Sequence, residues 1–154
     1  MTGTTFLPQD PDFDARVRAS FARQQVMATL GAEIALLSPG AIELTMPYGA
    51  PFTQQHGFVH AGIIATALDS ACGYAAFSLM AASAGVLTVE FKTSLLAPAQ
   101  GERFIFRAHV IKPGKTLTFC EAQAFATLGN AEPRLVATMS ATLMAIYDRP
   151  GITQ

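Results

Sequence analysis

Between Gln54 and Met80 the chain reads QQHGFVHAGIIATALDSACGYAAFSLM, and Asp69 is the one Asp, Glu, Lys or Arg in it. A carboxylate in an apolar setting is costly unless it is paired or hydrogen-bonded. Two readings follow. Asp69 bonds a nearby hydroxyl or backbone group, or lies on an open edge. Alternatively it serves as a general base or nucleophile in a partly dry pocket. The residues alone leave both open.

Gln54, Gln55, His56 and His60 precede the apolar run. If a helix starts at His60, the amides of Ala61, Gly62 and Ile63 lack partners inside it and lie at the positive end of its dipole. Such a start can hold an oxyanion, although it can equally be capped by water or a side chain. His56 and His60 have an H-x3-H spacing that would suit a metal on a helix, but Gly57 stands between them and no third ligand is evident, so no metal is expected. Cys72 lies inside the apolar run, where a small buried thiol is the ordinary outcome.

From His60 to Asp69 is nine steps. On a helix that is about 13 Å along the axis and roughly half a turn around it. One chain therefore cannot bring its helix start and its Asp69 to the same small group. If both act on one substrate, two chains share the site, and a two-fold dimer does this twice.

What must hold these residues is legible in the pattern. The stretch DPDFDARVRASFARQQVMATLG predicts one amphipathic helix, capped by Asp12 or Asp14 and ended by Gly31, with Phe13, Val17, Phe21 and Met27 on its apolar stripe. Two short strands flank Ser38-Pro39-Gly40. A polar loop leads to a long helix expected over about 60–82. After Gly85 the period becomes two. Leu87, Val89 and Phe91 alternate with Thr88, Glu90 and Lys92, and Phe104, Phe106, Ala108 and Val110 share a face of the next strand. Two more strands follow, and the short turn-rich breaks imply antiparallel neighbours. A helix apolar on every side needs burial all round. The expected architecture is α+β: an antiparallel sheet of five or six strands wrapped around one central helix, the hotdog fold. The domain is expected over 11–148, with a flexible N-terminus at 1–10 and a tail at 149–154.

With 154 residues and a net charge of −1, the chain suits one domain and shows no nucleic-acid footprint. Two distant cysteines and the lack of a basic-then-apolar leader fit a reducing cytoplasm. A membrane helix is disfavoured by Asp69, Ser70, Gly73 and the many alanines.

The stretch QQHGFVHAGIIATALDSACGYAA resembles the signature of hotdog-fold acyl-CoA thioesterases of the phenylacetate-degradation type: an amide residue, then H-G-G, then an acid nine positions after the histidine. TVEFKTSLLAPAQGE is similar to that family's next strand and turn, and the likeness runs from about Leu30 to Tyr147. The resemblance implies hydrolysis of an acyl-CoA thioester. It makes Asp69 the base or nucleophile, Gln54 a residue placing substrate or water, and His60 the motif histidine. The Ala61 amide becomes the carbonyl-polarising group with Gly62 beside it, and Thr88 the hydroxyl that holds water near the acid. It also implies a dimer or tetramer with sites between subunits, and no cofactor. Here the motif is H-A-G, which keeps the amide but adds a methyl at Ala61.

An apolar acyl group is expected, medium- or long-chain fatty acyl first and aryl-acetyl next. Phe58 and Met80 are candidate walls, although plain core is the commoner fate of such residues. Lys112 and Lys115 in the turn IKPGK, with Arg103 and Arg107 before it, are candidates for the CoA phosphates. A non-catalytic acyl-CoA-binding module is the alternative on the same fold.

Overall fold

Phe104, Phe106, Ala108 and Val110 are all buried, as the alternation predicts, and they face a helix rather than a second sheet. The computed structural model describes residues 4–154. Its helices are α1 (Phe13–Arg23), α2 (Gln25–Leu30) and α3 (Ala61–Phe77), with a 3-10 turn at Ala50–Phe52. Its strands are β1 (Glu33–Ser38), β2 (Ala41–Pro47), β3 (Gly85–Leu95), β4 (Arg103–Lys112), β5 (Leu117–Thr127) and β6 (Arg134–Ile146). They form one six-stranded antiparallel sheet in the order β1-β2-β4-β5-β6-β3. The sheet curls around α3, which packs on β2, β3, β4, β5 and β6. Small side chains allow the close approach: Ala122, Ala124 and Ala126 of β5 and Ala67, Ala71 and Ala75 of α3 are all buried.

Four expectations change. The N-terminal helix is two helices, broken at Gln24, whose backbone is extended (ψ 95°). Asp12 holds the cap position of α1 without a side-chain cap bond, and Asp14 pairs with Arg18 at 2.7 Å instead. Gly31 does end α2, with a left-handed φ of 68° that glycine accepts at little cost.

The central helix stops at Phe77, short of the expected Ala82. The Ser78 hydroxyl donates to the Ala75 carbonyl and accepts the Gly40 amide at 2.8 Å. The Arg16 guanidinium donates to the carbonyls of Phe77, Met80 and Ala81 and pairs with Asp10 at 3.1 Å. Side chains thus satisfy the exit carbonyls that a longer helix would have used. Met80 packs in the core there.

β3 and β4 are not neighbours despite their short connection. β3 pairs with β6, and residues 96–102 pass the start of α3, where the Val59 amide donates to the Ala99 carbonyl at 3.0 Å. Finally, β3 does not alternate as its sequence suggests. Its register shifts between Thr88 and Glu90, leaving Val89 as a bulge. An extra residue reverses the facing of all that follows. Thr88, opposite the buried Leu143, and Phe91, opposite the buried Ala141, therefore share the inner face.

Of the segment 1–10, residues 1–3 lie outside the described part. The rest is fastened to the body: Phe6 packs on the core, and the Gln9 amide donates to the Leu79 carbonyl. The tail also returns to the body, and Gln154 bonds both Ser20 and Val86.

Candidate active site

The loop before α3 folds on itself. Thr53 and Val59 form a bridge, Gly57 takes a φ of 81°, and the Gln54 amide donates to the Phe58 carbonyl at 2.9 Å. The Gln54 carboxamide oxygen accepts the His56 amide, which leaves its NH2 group as the free end. His60 caps the helix: its Nδ1 accepts the Gly62 amide at 2.8 Å, and its carbonyl accepts the Ile63 amide at 2.9 Å. An accepting Nδ1 is unprotonated, which assigns the proton of the neutral ring to Nε2.

Two of the three amides expected to be free are therefore occupied. Among the described residues only the Ala61 amide at this helix start has no hydrogen-bond partner. Gly62 serves the cap instead, and a Cβ there would sit 3.1 Å from His60 Nδ1.

A cavity of about 580 Å³ opens beside this start. Gln54, Phe58, His60 and Ala61 line it from the loop and helix, and residues 95–99 from the crossing segment. Phe58 lines this cavity. Lys112 and Lys115 do not. They lie at the far end of the sheet, since Arg103 starts β4 beside Pro47 at the cavity end and Lys112 ends it beside Phe119. Ten strand residues separate the two ends, about 30 Å. Arg107 is engaged with Glu43 at 2.7 Å. Arg134 is a cation close to the cavity: it donates to the carbonyl of Pro98, a lining residue, at 2.7 Å. Nothing in the local sequence marks Arg134, because the β6–β3 pairing that brings it there is non-local.

Asp69 lies mid-helix on a stripe left open by the sheet. Gly62, Ala65, Thr66, Asp69 and Gly73 recur at three- and four-residue spacing and are exposed or half-buried, whereas Ile64, Ala67, Leu68 and Ala71 are buried. The Thr88 hydroxyl donates to Asp69 Oδ1 at 2.8 Å. Burial pushes the Asp69 carboxyl above its ordinary value, and the Thr88 bond, which favours the ionised form, pulls against that rise. Behind Asp69 a smaller cleft of about 90 Å³ reaches Gln24, Ser70, Tyr74 and Gln154. Ser70 donates to the Gln24 carboxamide oxygen at 3.1 Å.

The two cysteines are inert by environment. Cys72 and Cys120 are buried and free, and burial raises both thiols, that of Cys120 to about 12. No described helix is long and apolar enough to cross a membrane.

One curled antiparallel sheet around one central helix is the hotdog architecture. The chain belongs to the thioesterase superfamily, whose pattern matches residues 56–130. A thioesterase family protein of Silicibacter pomeroyi is 63% identical, with a TM-score of 0.86 over 88% of this chain and 98% of that one. Human acyl-coenzyme A thioesterase 13 is 33% identical over 83 residues, 53% of this chain and 59% of that protein. The PaaI protein of the Escherichia coli phenylacetic acid degradation operon shares the fold at 19% identity, with a TM-score of 0.78 over 90% of this chain and 96% of that one. The protein is a thioester hydrolase, as this family and the 63% identical thioesterase family protein show.

Proposed function

We propose that the protein hydrolyses acyl-CoA thioesters at a site shared by two copies of the chain. The observation that carries this is Asp69 held by Thr88 on an open helix stripe, with its carboxyl raised by burial. A carboxylate so placed is a stronger base than an exposed one. It takes a proton from water as the hydroxide oxygen bonds the thioester carbon. The C–S bond breaks, and the CoA sulfur leaves with the proton that Asp69 held. In the nucleophilic variant an Asp69 oxygen bonds the carbonyl carbon as the C–S bond breaks and CoA leaves as thiolate; water then opens the mixed anhydride, its hydroxyl staying on the acyl carbon, its proton going to the thiolate, and the Asp69 carboxylate being restored.

The Ala61 amide, free at the positive end of α3, supports a role as the oxyanion donor. His60 holds that helix start in place through its cap, and the NH2 group of Gln54 is available to the substrate or water. Thr88 steadies the carboxylate and its water.

Ala61 and Asp69 sit on one continuous helix, about 12 Å apart along its axis. A second copy resolves this. β3, which Thr88 ties to the open stripe of α3, is an edge strand whose Leu87, Val89 and Phe91 are 43%, 53% and 45% exposed. An apolar edge of this kind favours pairing. Antiparallel pairing of β3 with its copy would bring each cavity end beside the partner's opposite end. Asp69 of one chain would then face the helix start of the other, and Lys112 and Lys115 would approach the partner's cavity.

The test is release of CoA thiol from acyl-CoA substrates by wild type and by Asp69→Asn. Loss of at least about 100-fold in kcat is expected, the lower range for a general base. A folded variant within a few-fold of wild type would sink the assignment.

A further inference from the structure

The small cleft behind Asp69 is lined on its far side by polar groups. The Gln154 carboxamide spans it: its oxygen accepts the Ser20 hydroxyl of α1 at 3.1 Å, and its nitrogen donates to the Val86 carbonyl of β3 at 3.2 Å. Gly85 makes room for this tail, since a Cβ there would lie 2.8 Å from Ile152 Cγ2. Beside Gln154 stand Gln24, fixed by Ser70, and Tyr74, whose hydroxyl lies 3.2 Å from that of Ser20. The cleft beyond the acid is thus about 90 Å³ with a polar end wall, against about 580 Å³ beside the helix start.

We propose that Gln154 is an acyl-length stop: clamped between α1 and β3, it restricts the acyl group served by Asp69 to a short one. This rests on the reading of Asp69 as the group that acts on the thioester. With the carbonyl between Ala61 of one chain and Asp69 of the other, the large cavity takes the pantetheine arm and the acyl group continues past the acid. The space there is about one sixth of that beside the helix start and suits a short acyl group only. A longer apolar tail would meet carboxamide and hydroxyl groups and strip them of water without replacing their bonds. The inference reverses the expectation of a medium- or long-chain substrate drawn from the apolar helix.

The experiment measures kcat/KM over a straight-chain acyl-CoA series for wild type, for Gln154→Ala and for a chain lacking residues 152–154. Wild type is expected to favour the shortest members. Both variants are expected to move the optimum toward longer chains, with the long-to-short ratio rising at least about tenfold, the discrimination a methylene pocket can provide. That ratio does not respond to a mere loss of stability. Gln154→Ala removes only the carboxamide and serves if the shortened chain does not fold. An unchanged ratio, or a wild type that already favours long chains, overturns the stop. The proposal that Asp69 acts is judged separately by Asp69→Asn on the best substrate. Should wild type hydrolyse no straight-chain member but release thiol from an aryl-acetyl-CoA, the stop falls and Asp69→Asn is judged on that substrate.

Discussion

Thr88 on the edge strand β3 donates to Asp69 in the middle of α3 across 2.8 Å, and this bond opposes the burial that raises the carboxyl. Two groups 19 residues apart in the chain thereby set one proton affinity.

The first prediction concerns pH. With its carboxyl raised, Asp69 reaches its protonated, inactive form at a higher pH than an exposed aspartate, which titrates near about 3.9. Thr88→Val removes the opposing bond, so the acidic limb of kcat is expected to move to still higher pH. A limb that stays in place in the folded variant excludes Thr88 as a partner of the active acid.

The second prediction separates activity from stability. A carboxyl raised on folding ionises more readily in the unfolded chain. The folded state therefore loses stability as pH rises from the unfolded value to the folded one. Asp69→Asn is expected to melt higher than wild type at pH 7 while losing activity, and the gain is expected to vanish below the ordinary carboxylate range. Thermal scans at both pH values check it, and an equal gain at both would assign the effect to packing.

A third prediction addresses the shared site. Val89→Lys places a charge on the exposed β3 edge and is expected to give folded, inactive monomers in size-exclusion chromatography. Co-expressing an Asp69→Asn chain with a Gln54→Ala, His60→Ala chain is expected to restore roughly a quarter of wild-type activity. Half of the dimers are then mixed, each with one sound site of two. Confirmed mixed dimers without activity would exclude sharing.

The fourth prediction weighs the cations. Arg134→Ala is expected to raise KM for acyl-CoA about two- to fivefold with kcat little changed, the scale of one exposed ion pair. Replacing Lys112 and Lys115 by alanine is expected to do the same only if the partner's far end reaches the cavity. Titrating KM against salt distinguishes the two sources, because each phosphate contact adds to the salt dependence.

Much of the fold is legible in local pattern. The inner face of β4 and the isolation of Asp69 can be read directly, because both depend on short-range spacing. The break at Gln24 cannot, because it is held open by Ser70 from another helix. Nor can the bulge at Val89, since LTVEF (87–91) alternates and only the pairing with β6 shows the extra residue. The free Ala61 amide is legible as a helix start and His60 as a candidate cap for it, whereas that the cap takes the Gly62 amide depends on a rotamer. Arg134 and Gln154 reach the site by strand order and by the returning tail, which no nearby residue announces.

His60 fixes one end of α3 and Arg16, with Asp10 behind it, fixes the other. The helix is thus held like a rod between two stops and cannot creep along its axis without breaking one of them. A slip of one residue amounts to about 1.5 Å. A displacement of about 1 Å is enough to cost about 100-fold in a reaction that depends on alignment. The segment around Asp10 therefore has a claim on the reaction although it lies at the opposite end of the helix from the Ala61 amide. A change at Asp10 thus acts on the placement of a carboxylate it never touches.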